Sequence, residues 1–246
     1  MIKGEIVELE ITGYAFEGKG IAKMSIDESQ DEEKKFVFFV DRAYPGDIVK
    51  AQITKQKRSY AEASIVEIIK PSEFREDAKC AHFGICGGCK AQDLNYEQQI
   101  KFKQEQVVDC FERIGGLKDF EINSIIPSRR IFFYRNKMEF SFAEKRWLTK
   151  EEMEENGGID DAPFGLGLHV PGRYDKVLDI GECYLQSEES NKILSFTRSF
   201  FASKKLTAHS TKTHTGFLRN LVIKQSHFTN DLMVNLVTFS EEEELM

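Results

Sequence analysis

The stretch Phe36-Val37-Phe38-Phe39-Val40, then Asp41-Arg42-Ala43-Tyr44-Pro45-Gly46-Asp47, then Ile48-Val49-Lys50-Ala51-Gln52-Ile53-Thr54 decides the fold of the N-terminal region. Five consecutive β-branched and aromatic residues predict a strand that is apolar on both faces. Pro45-Gly46-Asp47 predicts a turn, because proline presets φ and glycine accepts positive φ. Beyond it Val49, Ala51 and Ile53 alternate with polar residues, the period of a half-buried strand. The same alternation runs through Ile2, Ile6, Leu9 and Ile11, and again through 61–69, with a Gly-rich turn at 13–22. Five short strands with turns between them predict a small β-barrel over 1–69, with the polar insert 27–35 as an exposed hairpin loop.

Working outward, Pro71-Ser72 opens a connecting segment that runs through a cysteine cluster at 80–89. A helix follows, with Asn95 as N-cap and Tyr96, Ile100, Val107, Phe111 and Ile114 as its apolar face, ended by Gly115-Gly116. Cys110 lies on that helix beside Val107 and Phe111 and is expected to be buried. Strands are expected at 134–143, 164–170 and 175–179, with an acidic loop at 150–162. Gly165-Leu166-Gly167 falls inside a strand pattern rather than a cofactor loop. Ser187 caps a second helix at 188–204, and 218–225 with 232–239 forms a hairpin around Thr229-Asn230-Asp231. The expected class is mainly β with α/β elements: a barrel over 1–69, an α+β domain over 70–240 and an acidic tail at 241–246.

The 246 residues are 41% apolar and 30% charged, an ordinary globular composition. No apolar run approaches the ~20 residues that span a bilayer, and the alternating N-terminus has no signal-peptide core. A cytoplasmic protein without membrane attachment is expected. The net charge of −7 speaks against a nucleic-acid partner until its distribution is considered. Fifteen of the 41 acids lie in runs at 27–33, 151–161 and 241–244; elsewhere 34 bases face 26 acids. The remainder can present a basic face.

Cys80-x5-Cys86-x2-Cys89 is the sharpest local signal. Gly87 and Gly88 let the chain wrap closely enough for three thiolates to converge, an arrangement of charge that calls for a metal. Cys110, Cys183, His82 or water can supply a fourth ligand, and Cys183, in the turn Gly181-Glu182-Cys183-Tyr184, suits it better than Cys110. Zinc and a four-iron cluster both remain open, the three-plus-one pattern fitting the cluster at least as well.

Several segments together resemble one family. They are Pro71-Ser72, the run from Cys80 to Cys89, Gln92 with Tyr96-Glu97-Gln98-Gln99-Ile100-Lys101, Tyr134-Arg135-Asn136-Lys137-Met138-Glu139-Phe140, Cys183, and Leu218-Arg219-Asn220-Leu221-Val222-Ile223. In this order they resemble the RNA 5-methyluracil methyltransferases, especially the 23S ribosomal RNA branch. The resemblance implies an OB-like TRAM barrel that binds RNA. It also implies a [4Fe-4S] cluster on Cys80, Cys86, Cys89 and Cys183, and a central domain that grips 23S rRNA. In such enzymes a cysteine adds to C6 of uracil and S-adenosylmethionine methylates C5. The Rossmann-like domain carrying the S-adenosylmethionine site, catalytic cysteine and base is expected to lie outside this chain. Under that expectation the chain is an N-terminal part, inactive alone, with no catalytic residue and no protein partner. A free-standing metal-containing RNA-binding module and a redox sensor are the alternatives.

RNA contact requires cations beside aromatic faces. The candidates are Arg135 and Lys137, expected on one strand face near Tyr134 and Phe140; Lys55, Lys57 and Arg58 near Tyr60; and Arg129 and Arg130 beside Phe132 and Phe133.

Overall fold

The structure is a computed structural model describing residues 2–25, 35–157, 162–204, 206–210 and 212–239. The chain divides into two compact units, Met1–Ala78 with Lys90–Ser128 and Lys79–Cys89 with Arg129–Met246. The expected insert at 27–35, apart from Lys35, and the tail at 241–246 lie outside the described residues.

The first unit contains β1 (Ile6–Glu10), β2 (Gly13–Tyr14), β3 (Lys19–Ser25), β4 (Lys35–Asp41), β5 (Ile48–Gln56) and β6 (Tyr60–Lys70), in the sheet order β1-β5-β6-β4-β3-β2. The Gly-rich turn expected at 13–22 is corrected, because it holds β2 and the start of β3, and the expected five strands become six. The chain runs on from β1, which pairs with β5, through Ile11 and Thr12 to β2, which pairs with β3, so consecutive residues occupy both edges of the sheet. Bonds from Ile11 N–H to Asp47 O and from Thr12 N–H to Ile21 O, both 2.9 Å, span the break between the two strands. The run 36–40 is less uniform than its composition suggests: Phe36, Phe38 and Val40 are buried, whereas Val37 and Phe39 are half-buried. One face lines the barrel core with Leu9, Ile11, Val49, Ala51, Ile53, Ala61 and Ala63.

The turn after β4 does more than reverse the chain. Asp47 is fully buried and accepts from Tyr44 N–H at 2.7 Å and from Ser72 N–H, Arg75 Nε and Arg75 Nη2 at 2.8 Å each. Arg75 also donates to Asp93 at 2.7 Å and lies 4.5 Å above the Tyr44 ring, whose hydroxyl donates to Asp93. Burial, then the Asp93 bond, hold the Tyr44 phenol protonated. A buried charge is tolerated only when paired and hydrogen-bonded, and here one carboxylate takes four donors.

Helix α1 (Tyr96–Asp109) is capped by Asn95, whose side chain accepts from Glu97 and Gln98 N–H. Its expected apolar face is corrected. Phe102 is the buried residue, against Tyr44 and Leu94, while Val107, Phe111 and Ile114 are 45%, 44% and 83% exposed. Glutamines fasten the helix instead: Gln99 donates to Ala91 O and Leu94 O, and Gln106 to Tyr14 O and Ala15 O. Past Asp109 the helix widens into a π turn, Cys110–Ile114, so Cys110 is exposed rather than a core cysteine.

In the second unit β7 (Lys137–Ala143), β8 (Gly165–Val170), β9 (Arg173–Asp179), β10 (Leu218–Gln225) and β11 (Leu232–Thr238) form an antiparallel sheet ordered β11-β10-β7-β8-β9. Phe140, Leu166, Ile180, Leu194, Leu218 and Leu221 centre its core. Helix α3 (Glu188–Lys204) begins at Ser187, whose hydroxyl accepts from Ser190 N–H at 3.2 Å. The acidic loop expected at 150–162 is corrected at its start, where α2 (Lys150–Glu155) forms. Thr149 and Glu152 make a reciprocal capping box, a pattern present in the residues themselves. Gly167 is required by packing: a Cβ there would stand 1.9 Å from Leu178 O on β9. The anticipated α/β character is also corrected, since strands pair antiparallel in both sheets apart from the β4–β6 ladder.

Candidate metal centre and nucleic-acid interface

The Cys80–Cys89 loop is built by short-range bonds. Phe83 N–H donates to Cys80 O, and Ile85 and Cys86 N–H both donate to His82 O. Gly84, at φ +90°, reverses the chain. Gly87 and Gly88 lay the loop against β8: a Cβ at 87 would meet His169 O at 3.3 Å, and one at 88 would meet Cys86 Sγ at 3.3 Å and Leu168 at 3.6 Å.

His82 carries this loop to the last cysteine. Its Nε2 accepts from Gly181 N–H at 3.1 Å, two residues before Cys183, and burial lowers its pKa, favouring the neutral ring this bond requires. Asn191 on α3 then grips Cys183 from both sides, accepting its N–H at 2.9 Å and donating to its carbonyl at 3.1 Å. Neither role was assigned from the residue pattern. His82 was visible only as a spare ligand, and Asn191 sits in an ordinary amphipathic helix.

The four cysteines gather within one unit. Cys80, Cys86 and Cys89 are half-buried and Cys183 is buried. Burial pushes the Cys86 thiol up to about 11, and the charges of Cys183, Cys89 and Cys80 add to it, while the Gly88 N–H at 3.3 Å from its sulfur opposes the rise. Burial likewise raises Cys183, against the N–H groups of Leu185 and Gln186. Neighbouring sulfurs that repel each other's ionisation, yet receive backbone N–H donors, form a donor set suited to a cationic centre. No group of three or more His, Cys, Asp or Glu side chains among the described residues makes a ready single-ion site. In a four-iron cluster each thiolate binds a different iron, so its sulfurs stand farther apart than around one ion.

The cations are distributed more unevenly than expected. Arg130 and Arg135 line one cavity of about 280 Å³, with Phe133, Asn136, Ser187, Gln225, His227 and Asn230, and with the carboxylates Glu188 and Glu189 at the start of α3. Arg130 Nη1 lies 3.3 Å from His227 Nδ1. Arg135 and Lys137 do not share a strand face, because β7 begins only at Lys137. The preceding segment pairs elsewhere, Phe133 N–H with Tyr184 O and Arg135 N–H with Leu185 O, and Phe133 takes φ +55°. Lys137 is paired with Glu139 at 3.2 Å and Lys55 with Glu62 at 2.7 Å. Hydrogen bonds from Lys19 and then Lys55 hold the Glu62 carboxyl down near 2. Lys57 and Arg58 are exposed in the β5–β6 turn, and Arg129 is exposed before Arg130.

Residues 2–66 match the family model described as the TRAM domain. The barrel is a TRAM domain. Beyond this domain, the chain is similar to proteins named uncharacterized RNA methyltransferases. One, from Chlorobaculum tepidum, is 37% identical over 244 residues, covering 99% of this chain and 49% of that protein. Another, from Bacteroides thetaiotaomicron, is 40% identical over 232 residues, covering 94% and 49%. The chain spans about half the length of the curated relatives it matches. In fold it is similar to the Pyrococcus abyssi tRNA (uracil-54, C5)-methyltransferase solved with S-adenosyl-L-homocysteine. That match has a TM-score of 0.62 at 24% identity and covers 95% of this chain and 46% of that one.

These matches correct the expectation of an inactive N-terminal part with the methyltransferase domain and S-adenosylmethionine site outside it. Similarity to proteins named RNA methyltransferases runs through 94% and 99% of this TRAM-bearing chain. Neither inactivity nor a missing domain follows from where the sequence ends. The Gly165 and Gly167 pair does not fit that cofactor, since strand β9 and Arg146 fill the space above both. No helix among the described residues is long and apolar enough to cross a membrane.

Proposed function

We propose that the protein acts in S-adenosylmethionine-dependent methylation of uridine C5 in RNA, with 23S ribosomal RNA as substrate and the cytoplasm as its compartment. Cys80, Cys86, Cys89 and Cys183 hold a [4Fe-4S] cluster. The observation that carries the proposal is the joining of the Cys80–Cys89 loop to the turn before Cys183 through His82, with Asn191 of α3 holding Cys183 itself. It occurs in the unit whose polar cavity gathers Arg130 and Arg135.

S-adenosylmethionine supplies the methyl group when bound. The residues here bind and orient RNA. Arg130 and Arg135 neutralise phosphate, the Phe133 ring offers a stacking face, and Asn136 and Gln225 present amides to a base edge. The cluster closes a long loop and stabilises the unit that presents them. The TRAM barrel adds the exposed Lys57 and Arg58.

Incubation with methyl-labelled S-adenosylmethionine and either 23S rRNA or tRNA transcripts tests this reading. Label at C5 of a uridine in 23S rRNA supports it, label in tRNA alone moves the substrate, and RNA binding without transfer favours a non-catalytic RNA-binding module. Arg135→Ala and Arg130→Ala should each weaken RNA binding and reduce the slope of log K against log salt by about 0.7–1, the loss of one phosphate contact. Filter binding at several salt concentrations reads this slope, and unchanged slopes for both variants remove the cavity from the interface.

A further inference from the structure

Another cavity, of about 740 Å³, lies wholly within the first unit, between the turn that joins β2 to β3 and the face of α1 that runs into the π turn. Its volume falls in the range of roughly 300–1,000 Å³ typical of small-ligand sites. Tyr14 lines it and packs its ring 5.1 Å from that of Phe102, the buried anchor of α1. Phe16, Val107 and Phe111 line it too, yet all three are exposed, Phe16 to 76%. Lys90 and Lys103 stand among them beside one carboxylate, Glu17.

The cleft is built by main-chain anchors. Gln106 of α1 donates to Tyr14 O at 3.4 Å and to Ala15 O at 3.0 Å, and Lys90 Nζ donates to Glu17 O at 3.2 Å. The turn itself is tight, with Ala15 N–H bonded to Lys19 O at 2.7 Å and Glu17 and Gly18 at φ +70° and +85°. These bonds tie turn to helix without covering the apolar side chains between them. Exposed apolar side chains rimmed by polar groups mark a binding surface. Aromatic faces beside an excess of ammonium groups suit single-stranded nucleic acid, whose bases stack on rings of any sequence context while its phosphates meet the cations.

We propose that this cleft takes an unstacked base of single-stranded RNA against Phe16 and Phe111, with the flanking phosphates on Lys90 and Lys103. The inference takes RNA as the partner from the reading above, but needs neither the cluster nor methyl transfer. The cleft belongs to the first unit and is a different site from the Arg130–Arg135 cavity of the second. Cys110 lines the cleft and is exposed, so its thiol reports on occupancy.

The full chain, Phe16→Ala and Lys103→Gln are compared by fluorescence anisotropy with a labelled single-stranded oligoribonucleotide and with the same sequence as a duplex. Both side chains are exposed, so the melting transition should stay at the wild-type value. Phe16→Ala should weaken single-strand binding about ten-fold, the loss of one stacked base, and leave duplex binding nearly unchanged. Lys103→Gln should reduce the slope of log K against log salt by about 0.7, the loss of one single-strand phosphate contact. The single strand should also slow iodoacetamide alkylation of Cys110 several-fold, read by peptide mass spectrometry. Wild-type affinity and salt slope in both variants, with Cys110 alkylated equally with and without RNA, overturn the cleft while the RNA reading stands. Cys110 protected by raised protein concentration instead of RNA makes the cleft a contact between copies and overturns the proposal. A wild-type chain that binds neither RNA contradicts the RNA reading itself, and the cleft with it.

Discussion

Asp47→Ala should destabilise the first unit by about 3–5 kcal/mol, the usual cost of breaking a buried ion pair from one side. The carboxylate is fully buried and satisfies Tyr44 N–H, Ser72 N–H and two nitrogens of Arg75. Its removal leaves Arg75 with Asp93 and the Arg42 carbonyl but strands two backbone donors in a dry interior. Asp47→Asn, which keeps the shape but loses the charge, should fall between the two. Urea unfolding followed by hydrogen exchange in β5 and β6 reads the loss where it occurs. Unchanged protection in those strands would show that the clamp is dispensable. Against a typical stability of about 5–15 kcal/mol, a loss of this size is a large fraction of the total.

Cys86→Ala should remove the metal and much of the second unit's stability together. The proposed cluster would join Cys86 to Cys183 across nearly a hundred residues. A single covalent closure of a loop that long is worth about 4–5 kcal/mol of chain entropy in the loop-closure model, and metal ligation adds its own binding free energy. Iron and acid-labile sulfide should fall to background, and the thermal transition should drop markedly. Cys110→Ala is the control, because Cys110 is exposed on the π turn of the other unit and should change neither quantity. A Cys86→Ala protein that keeps its iron and its melting temperature refutes the structural role.

The barrel was legible because its cues are local. Alternation in β5, the Pro45-Gly46-Asp47 turn and the caps Asn95 and Ser187 all act within a few residues. What could not be read depends on contacts made far along the chain. The face of α1 was misjudged because two glutamines, bonding to carbonyls at 14, 15, 91 and 94, fasten it in place of leucine-like side chains. Arg135 and Lys137 were separated by pairing between 133–135 and 184–185, which no periodicity in 134–143 reveals. Helix α2 is a different kind of miss. Its Thr149–Glu152 box was present in the sequence and was outweighed by the acidic composition around it. At the candidate centre the cysteines stand out by spacing alone. His82 and Asn191 do not, because their roles arise only when the turn 181–184 meets the 80–89 loop on one side and α3 on the other.

The most direct test is the iron, acid-labile sulfide and zinc content per chain of anaerobically purified protein, for the wild type and for Cys183→Ala. About four irons and four sulfides in the wild type, lost or sharply reduced in the variant, is the result expected of a four-cysteine cluster with Cys183 as its distant ligand. One zinc without sulfide, or iron and sulfide unaffected by Cys183→Ala, contradicts it.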